Sequence, residues 1–138
     1  MSIRKSTISE WNEQCVHCSC PEDVGVFGGE IDIACCGDLV FTDGRYYFLL
    51  QNVGKLNNVA MFTNKGNGSS REVIHSIADF FAYLVDNDIA DSIFVIGGKK
   101  HNYDFVYRFF PKSEVIKEPI GYFISLKGNA WRKFCRKE

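Results

Sequence analysis

Between Val26 and Thr63, apolar and polar residues alternate with the two-residue period of β-strands. Ile31, Ile33 and Cys35 alternate with Asp32 and Ala34, and Leu39-Val40-Phe41 follows the turn-forming pair Gly37-Asp38. Asp43-Gly44 is a hairpin signal, because both residues tolerate the positive φ that tight hairpins demand. Arg45 to Val53 puts Tyr46, Phe48 and Leu50 on one face and Tyr47 and Leu49 on the other. Val59 to Phe62 ends the series, and the spacing predicts a meander of three or four strands.

The period then changes. Val73, Ile77, Phe80, Phe81, Leu84 and Val85 recur at helical spacing, and Ile74 and Ala78 widen their face. Ser69 and Glu72 make a capping box at the start, so a long helix is predicted over about residues 69–86. A face this wide implies burial against a sheet. Further strands are predicted at Ser92 to Ile96, at Tyr103 to Phe110 with its alternating aromatics, and at Ile120 to Leu126. Thr7 and Glu10 can cap a short N-terminal helix. Asn129 can cap a short C-terminal helix through Arg136, whose basic residues suit a negative helix end. The order predicts one α+β domain over residues 1–138, with a buried helix on a mostly antiparallel sheet.

Composition fits a globular chain, with hydrophobic residues at 46% and charged residues at 24%. Met1 to Cys20 holds no apolar run of secretory length, and no stretch nears the ~20 residues of a membrane span. The expectation is a cytoplasmic protein without membrane contact, whose cysteines are not in disulfides. A net charge of -1 argues against a general nucleic-acid binder. The charge is unevenly spread. Lys99 to Glu138 carries ten Lys or Arg against four Asp or Glu, whereas the rest carries six against thirteen.

Three groups of residues suggest chemistry. Cys15, Cys18, Cys35 and Cys36 form the first, and a zinc site is one reading of them. Cys15 and Cys18 have the two-residue gap that brings two thiolates to one ion, and sixteen residues separate Cys18 from Cys35. Adjacent Cys35 and Cys36 point to opposite faces of a strand, so His17 or Cys20 would complete the set. Buried free thiols are the other reading, since Cys packs as a small apolar residue. No signature brings a Cys and a His together for nucleophilic catalysis, and His75 reads as a packed or capping residue.

Gly29-Glu30-Ile31-Asp32-Ile33 forms the second group. It resembles the metal-binding strand of PD-(D/E)xK nucleases, and the resemblance implies Asp32 as a Mg²⁺ ligand that helps orient an attacking water. The strand that should supply the remaining residues departs from the pattern. Gln51 stands where a carboxylate is expected and Val53 where the lysine is expected.

Lys65-Gly66-Asn67-Gly68-Ser69-Ser70 is the third group: it precedes the long helix, where an anion can meet free backbone N–H groups. Gly97-Gly98-Lys99-Lys100 lacks phosphate-loop spacing and reads as a turn whose lysines protect a sheet edge.

No complete catalytic set is legible. The sequence therefore points first to a non-enzymatic protein-binding domain, of inhibitor or immunity type, that neutralises a basic partner such as a toxin nuclease. Glu22, Asp23, Glu30, Asp32, Asp38 and Asp43 are its candidate contact residues, because complementary charge speeds encounter. A zinc-stabilised interaction module and a divergent metal-dependent nuclease around Glu30 and Asp32 are the alternatives.

Overall fold

The computed structural model describes residues 2–15, 39–53, 56–63, 70–96, 106–119 and 121–136. Its strands are β1 (Arg4–Lys5), β2 (Leu39–Thr42), β3 (Tyr46–Val53), β4 (Leu56–Thr63), β5 (Ser92–Ile96), β6 (Val115–Glu118) and β7 (Gly121–Ser125). They form one sheet in the order β1-β2-β3-β4-β5-β7-β6. Helix α1 (Ile8–Cys15) follows β1, and α2 (Ser70–Asp86) lies between β4 and β5. The fold is α+β, as the order of patterns predicts. Neighbouring strands are antiparallel except β4 and β5, which run parallel. Parallel neighbours need a long crossover, and α2 supplies it.

The wide face of α2 is buried as expected. Val73, Ile74, Ile77, Ala78, Phe80, Phe81 and Leu84 pack with Phe41, Tyr46, Phe48 and Leu50, and with Ile93, Val95, Tyr122 and Ile124. The Phe80 ring stacks on Phe48, with centroids 4.3 Å apart and planes 9° off parallel. Trp131 closes the core beside Phe81, and its Nε1–H donates to the Leu126 carbonyl at 3.2 Å. Glu72, in the first turn of α2, pairs with Arg45 of the β2–β3 turn.

That turn is anchored from inside. Gly44 has φ of 92°, where a side chain would be strained. Asp43 Oδ1 accepts the N–H groups of Arg45 at 2.9 Å and Tyr46 at 2.8 Å. Asp43 Oδ2 accepts the Ser76 hydroxyl of α2 at 2.7 Å. With only 5% of its surface exposed, Asp43 needs these donors, since an unsatisfied buried carboxylate is costly.

The Thr7 cap is also present, with the Glu10 N–H donating to Thr7 Oγ1 at 3.0 Å. The Glu10 carboxylate turns elsewhere, accepting the Ser6 hydroxyl at 2.5 Å and the Tyr47 hydroxyl at 3.0 Å. It thereby ties α1 to β3.

Three expectations change. Residues 106–109 are helical rather than strand, and the Phe110 N–H donates to the Val106 carbonyl at 3.1 Å. Val106, Phe109 and Phe110 are all buried, and their spacing of three and four is that of one helix face. An aromatic run apolar on both faces satisfies either period, and packing beside Phe81 selects the helical one. The strand β6 was not predicted, because three of its four residues are exposed and it shows little alternation. The C-terminal helix is a short 3-10 segment, Ala130–Phe134, and the Asn129 side chain makes no cap hydrogen bond. The strand expected at Ile31 to Cys35 and the cap at Ser69 lie outside the described residues.

Asp43→Ala should destabilise the fold by about 3 kcal/mol, since three donors lose their acceptor. Asp43→Asn should cost less, because its carbonyl can still accept. Denaturant midpoints of the two variants measure the difference. Glu10 is held below the ordinary carboxylate range, first by the Ser6 hydroxyl and then by Tyr47 and Arg4, against the opposing effect of burial. Its contribution to stability is therefore complete above the unfolded value of 4.5 and lost as pH falls through the lower folded value. Acid unfolding of Glu10→Gln should lack that component.

Candidate functional site: a gap between two parallel strands

The β4–β5 ladder consists of a single residue pair, Asn58 with Phe94. On its other side β4 is paired with β3 over eight positions, from Val53–Leu56 to Tyr46–Thr63. On its other side β5 is paired with β7 over five, from Ser92–Ser125 to Ile96–Gly121. Both strands are thus firmly held, yet past Asn58 and Phe94 they do not pair with one another. Past that pair no ladder joins Val59 to Thr63 with Val95 and Ile96, and this break in the ladder is the gap between the two strands. Backbone N–H and C=O groups left out of a ladder take other partners, such as water or a polar ligand.

Beyond the pair, five residues of β4 and two of β5 run on toward their carboxyl ends, the end at which open α/β sheets gather their ligands. The chain leaves β4 there and enters α2 at Ser70, through Lys65, Gly66, Gly68 and Ser69. Strand, glycine-containing link and helix N-terminus therefore follow in the order that phosphate sites use.

The β5 side of the gap is fixed by close packing. A Cβ on Gly121 would lie 2.2 Å from the Val95 carbonyl oxygen and 2.8 Å from the Phe94 ring. Glycine at this position lets the Phe94 ring lie against β7, and Phe94 is only 4% exposed.

A second concavity, of about 470 Å³, lies between α2 and the two chain ends, lined in part by Ile3, Asp79, Tyr83, Arg132 and Cys135. Its polar groups are largely used internally. Arg132 pairs with Asp86 at 2.7 Å, and Asp79 Oδ1 accepts the Arg136 N–H at 3.1 Å. Burial raises the Asp79 carboxyl, with Arg136 opposing. Burial likewise raises the Cys135 thiol, which keeps it protonated and a poor nucleophile.

His75, Ser76 and Asp43 do not form a catalytic relay. Ser76 donates straight to Asp43, while His75 Nδ1 lies 2.6 Å from the Phe134 carbonyl, which requires that nitrogen to carry the proton. His75 thus acts as a tether for the C-terminal turn. The Tyr46 hydroxyl is buried beneath α2 without a hydrogen-bond partner among the described residues, and burial raises its pKa.

Of the predicted contact carboxylates, Asp43 faces inward and serves the hairpin, so it offers nothing to a partner. Glu22, Asp23, Glu30, Asp32 and Asp38 lie outside the described residues, as do Cys18, Cys35 and Cys36. Cys15 ends α1. Among the described residues no three His, Cys, Asp or Glu side chains are grouped to hold a metal, and no helix is long and apolar enough to cross a membrane. The gap itself was not foreseen. Its sequence signal is the glycine-containing link before α2, which by itself suggests only an anion. No family model, curated protein or solved structure matches the chain.

Gly121→Ala should displace Phe94 or β7 and cost about 1–3 kcal/mol. A thermal melt indistinguishable from the native protein would show that the β5 side of the gap is not tightly packed.

Proposed function

We propose that this chain binds a phosphorylated group carrier of the coenzyme A class in the gap between β4 and β5, and passes the carried acyl group to an acceptor. The single Asn58–Phe94 pair carries this reading. Unpaired edges on both sides invite an extended ligand with its own amide groups, which hydrogen-bonds to them as an added strand would. The helix N-terminus after β4 suits phosphate at one end of that ligand. Coenzyme A combines a diphosphate with an arm built on amide bonds, and it is a carrier of acyl groups. In the transfer, an acceptor amine attacks the thioester carbonyl and the C–S bond breaks. The sulfur leaves as a thiolate, and the amine's proton passes to a base or to solvent. No described residue is assigned as that base.

A non-enzymatic role in covering a basic partner rests on the uneven charge of the sequence. Asp43 leaves the proposed contact set because it is buried.

Thermal and calorimetric titration with coenzyme A, adenosine diphosphate and pantetheine tests the carrier reading. Coenzyme A at one hundred times its dissociation constant should stabilise the fold by about 2.7 kcal/mol. Each fragment should give a smaller shift. No shift with any of the three at millimolar concentration would overturn the proposal.

A further inference from the structure

The cavity of about 470 Å³ between α2 and the two chain ends is lined by no described residue of β4 or β5, so the ligand gap does not account for it. Its volume falls in the ~300–1,000 Å³ range of small-molecule sites. One wall is apolar. Ile3, Ala82 and Tyr83 line it while packing against the core from outside. The Tyr83 ring is held edge-on to Phe41, with centroids 5.5 Å apart. Cys135 belongs to the same neutral wall, since its thiol donates to the Ala78 carbonyl at 3.6 Å and burial keeps it protonated. The rest of the lining is charged. Arg132 and Asp86 pair with one another and cancel. Asp79 and Arg136 do not. Asp79 Oδ1 accepts the Arg136 backbone N–H at 3.1 Å, but among the described residues Oδ2 takes no hydrogen bond and no cation forms an ion pair with it. The exposed Arg136 guanidinium likewise makes neither an ion pair nor a hydrogen bond among the described residues. Asp79 is thus a half-buried carboxylate whose charge is penalised by burial and only partly relieved by Arg136 nearby.

We propose that this cavity binds a free α-amino acid with an apolar side chain. Its ammonium group pairs with Asp79 Oδ2, its carboxylate with the Arg136 guanidinium, and its side chain lies on Ile3, Ala82 and Tyr83. Opposite charges without ion pairs in one cavity call for a ligand that carries both. The Arg136 N–H touches Asp79, so the two residues are rooted side by side. A bridging ligand must then hold its charges close together, as the ammonium and carboxylate on one α-carbon are. Arginine presents a planar fork that meets a carboxylate at two points. An ammonium beside Asp79 supplies the countercharge that favours its ionised form. A simple amine would leave Arg136 unused, and a simple carboxylate would face Asp79 as a like charge.

Calorimetric titration of the full chain with L-phenylalanine tests the proposal. Phenylalaninamide, which lacks the carboxylate, and hydrocinnamate, which lacks the ammonium group, are the matched probes. L-Phenylalanine should bind, and each analogue should bind at least about tenfold more weakly. Asp79→Asn should weaken L-phenylalanine and phenylalaninamide at least about tenfold without weakening hydrocinnamate. Arg136→Gln should weaken L-phenylalanine and hydrocinnamate by a similar factor without weakening phenylalaninamide. Both variants should melt as the native protein does, because the Asn carbonyl still accepts the Arg136 N–H and the Arg136 side chain is exposed. A native chain that binds no L-phenylalanine at millimolar concentration overturns the proposal. So does binding that both variants leave unchanged, or an amide that binds as tightly as the amino acid.

Discussion

The seat of α2 on the sheet is the contact on which the rest of the molecule depends. Phe80 stacked on Phe48 marks its centre, with Ile77, Phe81 and Leu84 around it and Trp131 sealing one end. Buried aromatic and aliphatic side chains of this kind contribute about 1.5–3 kcal/mol each, so the helix and sheet stabilise one another more than any local preference does. The C-terminal turn is held by the same helix, through His75 to the Phe134 carbonyl and Asp79 to the Arg136 N–H.

Placing a helix between β4 and β5 also creates the weak line in the sheet. A hairpin would have made the pair antiparallel and zipped it along its length, as between β3 and β4. A crossover through α2 makes the pair parallel, and the ladder then holds at one position. The strands still cannot drift, because each is fully engaged on its other side. A break in the ladder between two well-anchored strands is held in place by the strands on either side. The same division leaves β6 as the outermost strand.

Polar groups inside this frame are mostly structural. Asp43 looks from the sequence like a surface carboxylate in a turn. Its neighbours make it the fastener between the β2–β3 hairpin and α2, because Ser76 on the buried face of the helix donates its hydroxyl to it. Glu72 pairs with Arg45, and Glu10 spends its charge on Ser6, Arg4 and Tyr47 rather than on its own helix end. The Thr7 signal therefore marked the start of α1 correctly, while its Glu10 carboxylate bonds away from the helix end.

Periodicity alone determined the α+β class, the strands around the Asp43-Gly44 turn, and the long helix with its buried face. These are local: a period of two or of 3.6 is written in neighbouring residues, and so is a turn. The aromatic run before Pro111 satisfied two periods, and only packing beside Phe81 chose between them. A strand like β6, mostly exposed, leaves too weak an alternation to be seen, and its existence depends on β7 lying alongside. The parallel pairing of β4 with β5, the gap it leaves, and the inward turn of Asp43 are tertiary decisions. Each depends on which distant segments meet, and that is settled by the shared burial of one helix face rather than by any residue's immediate neighbours.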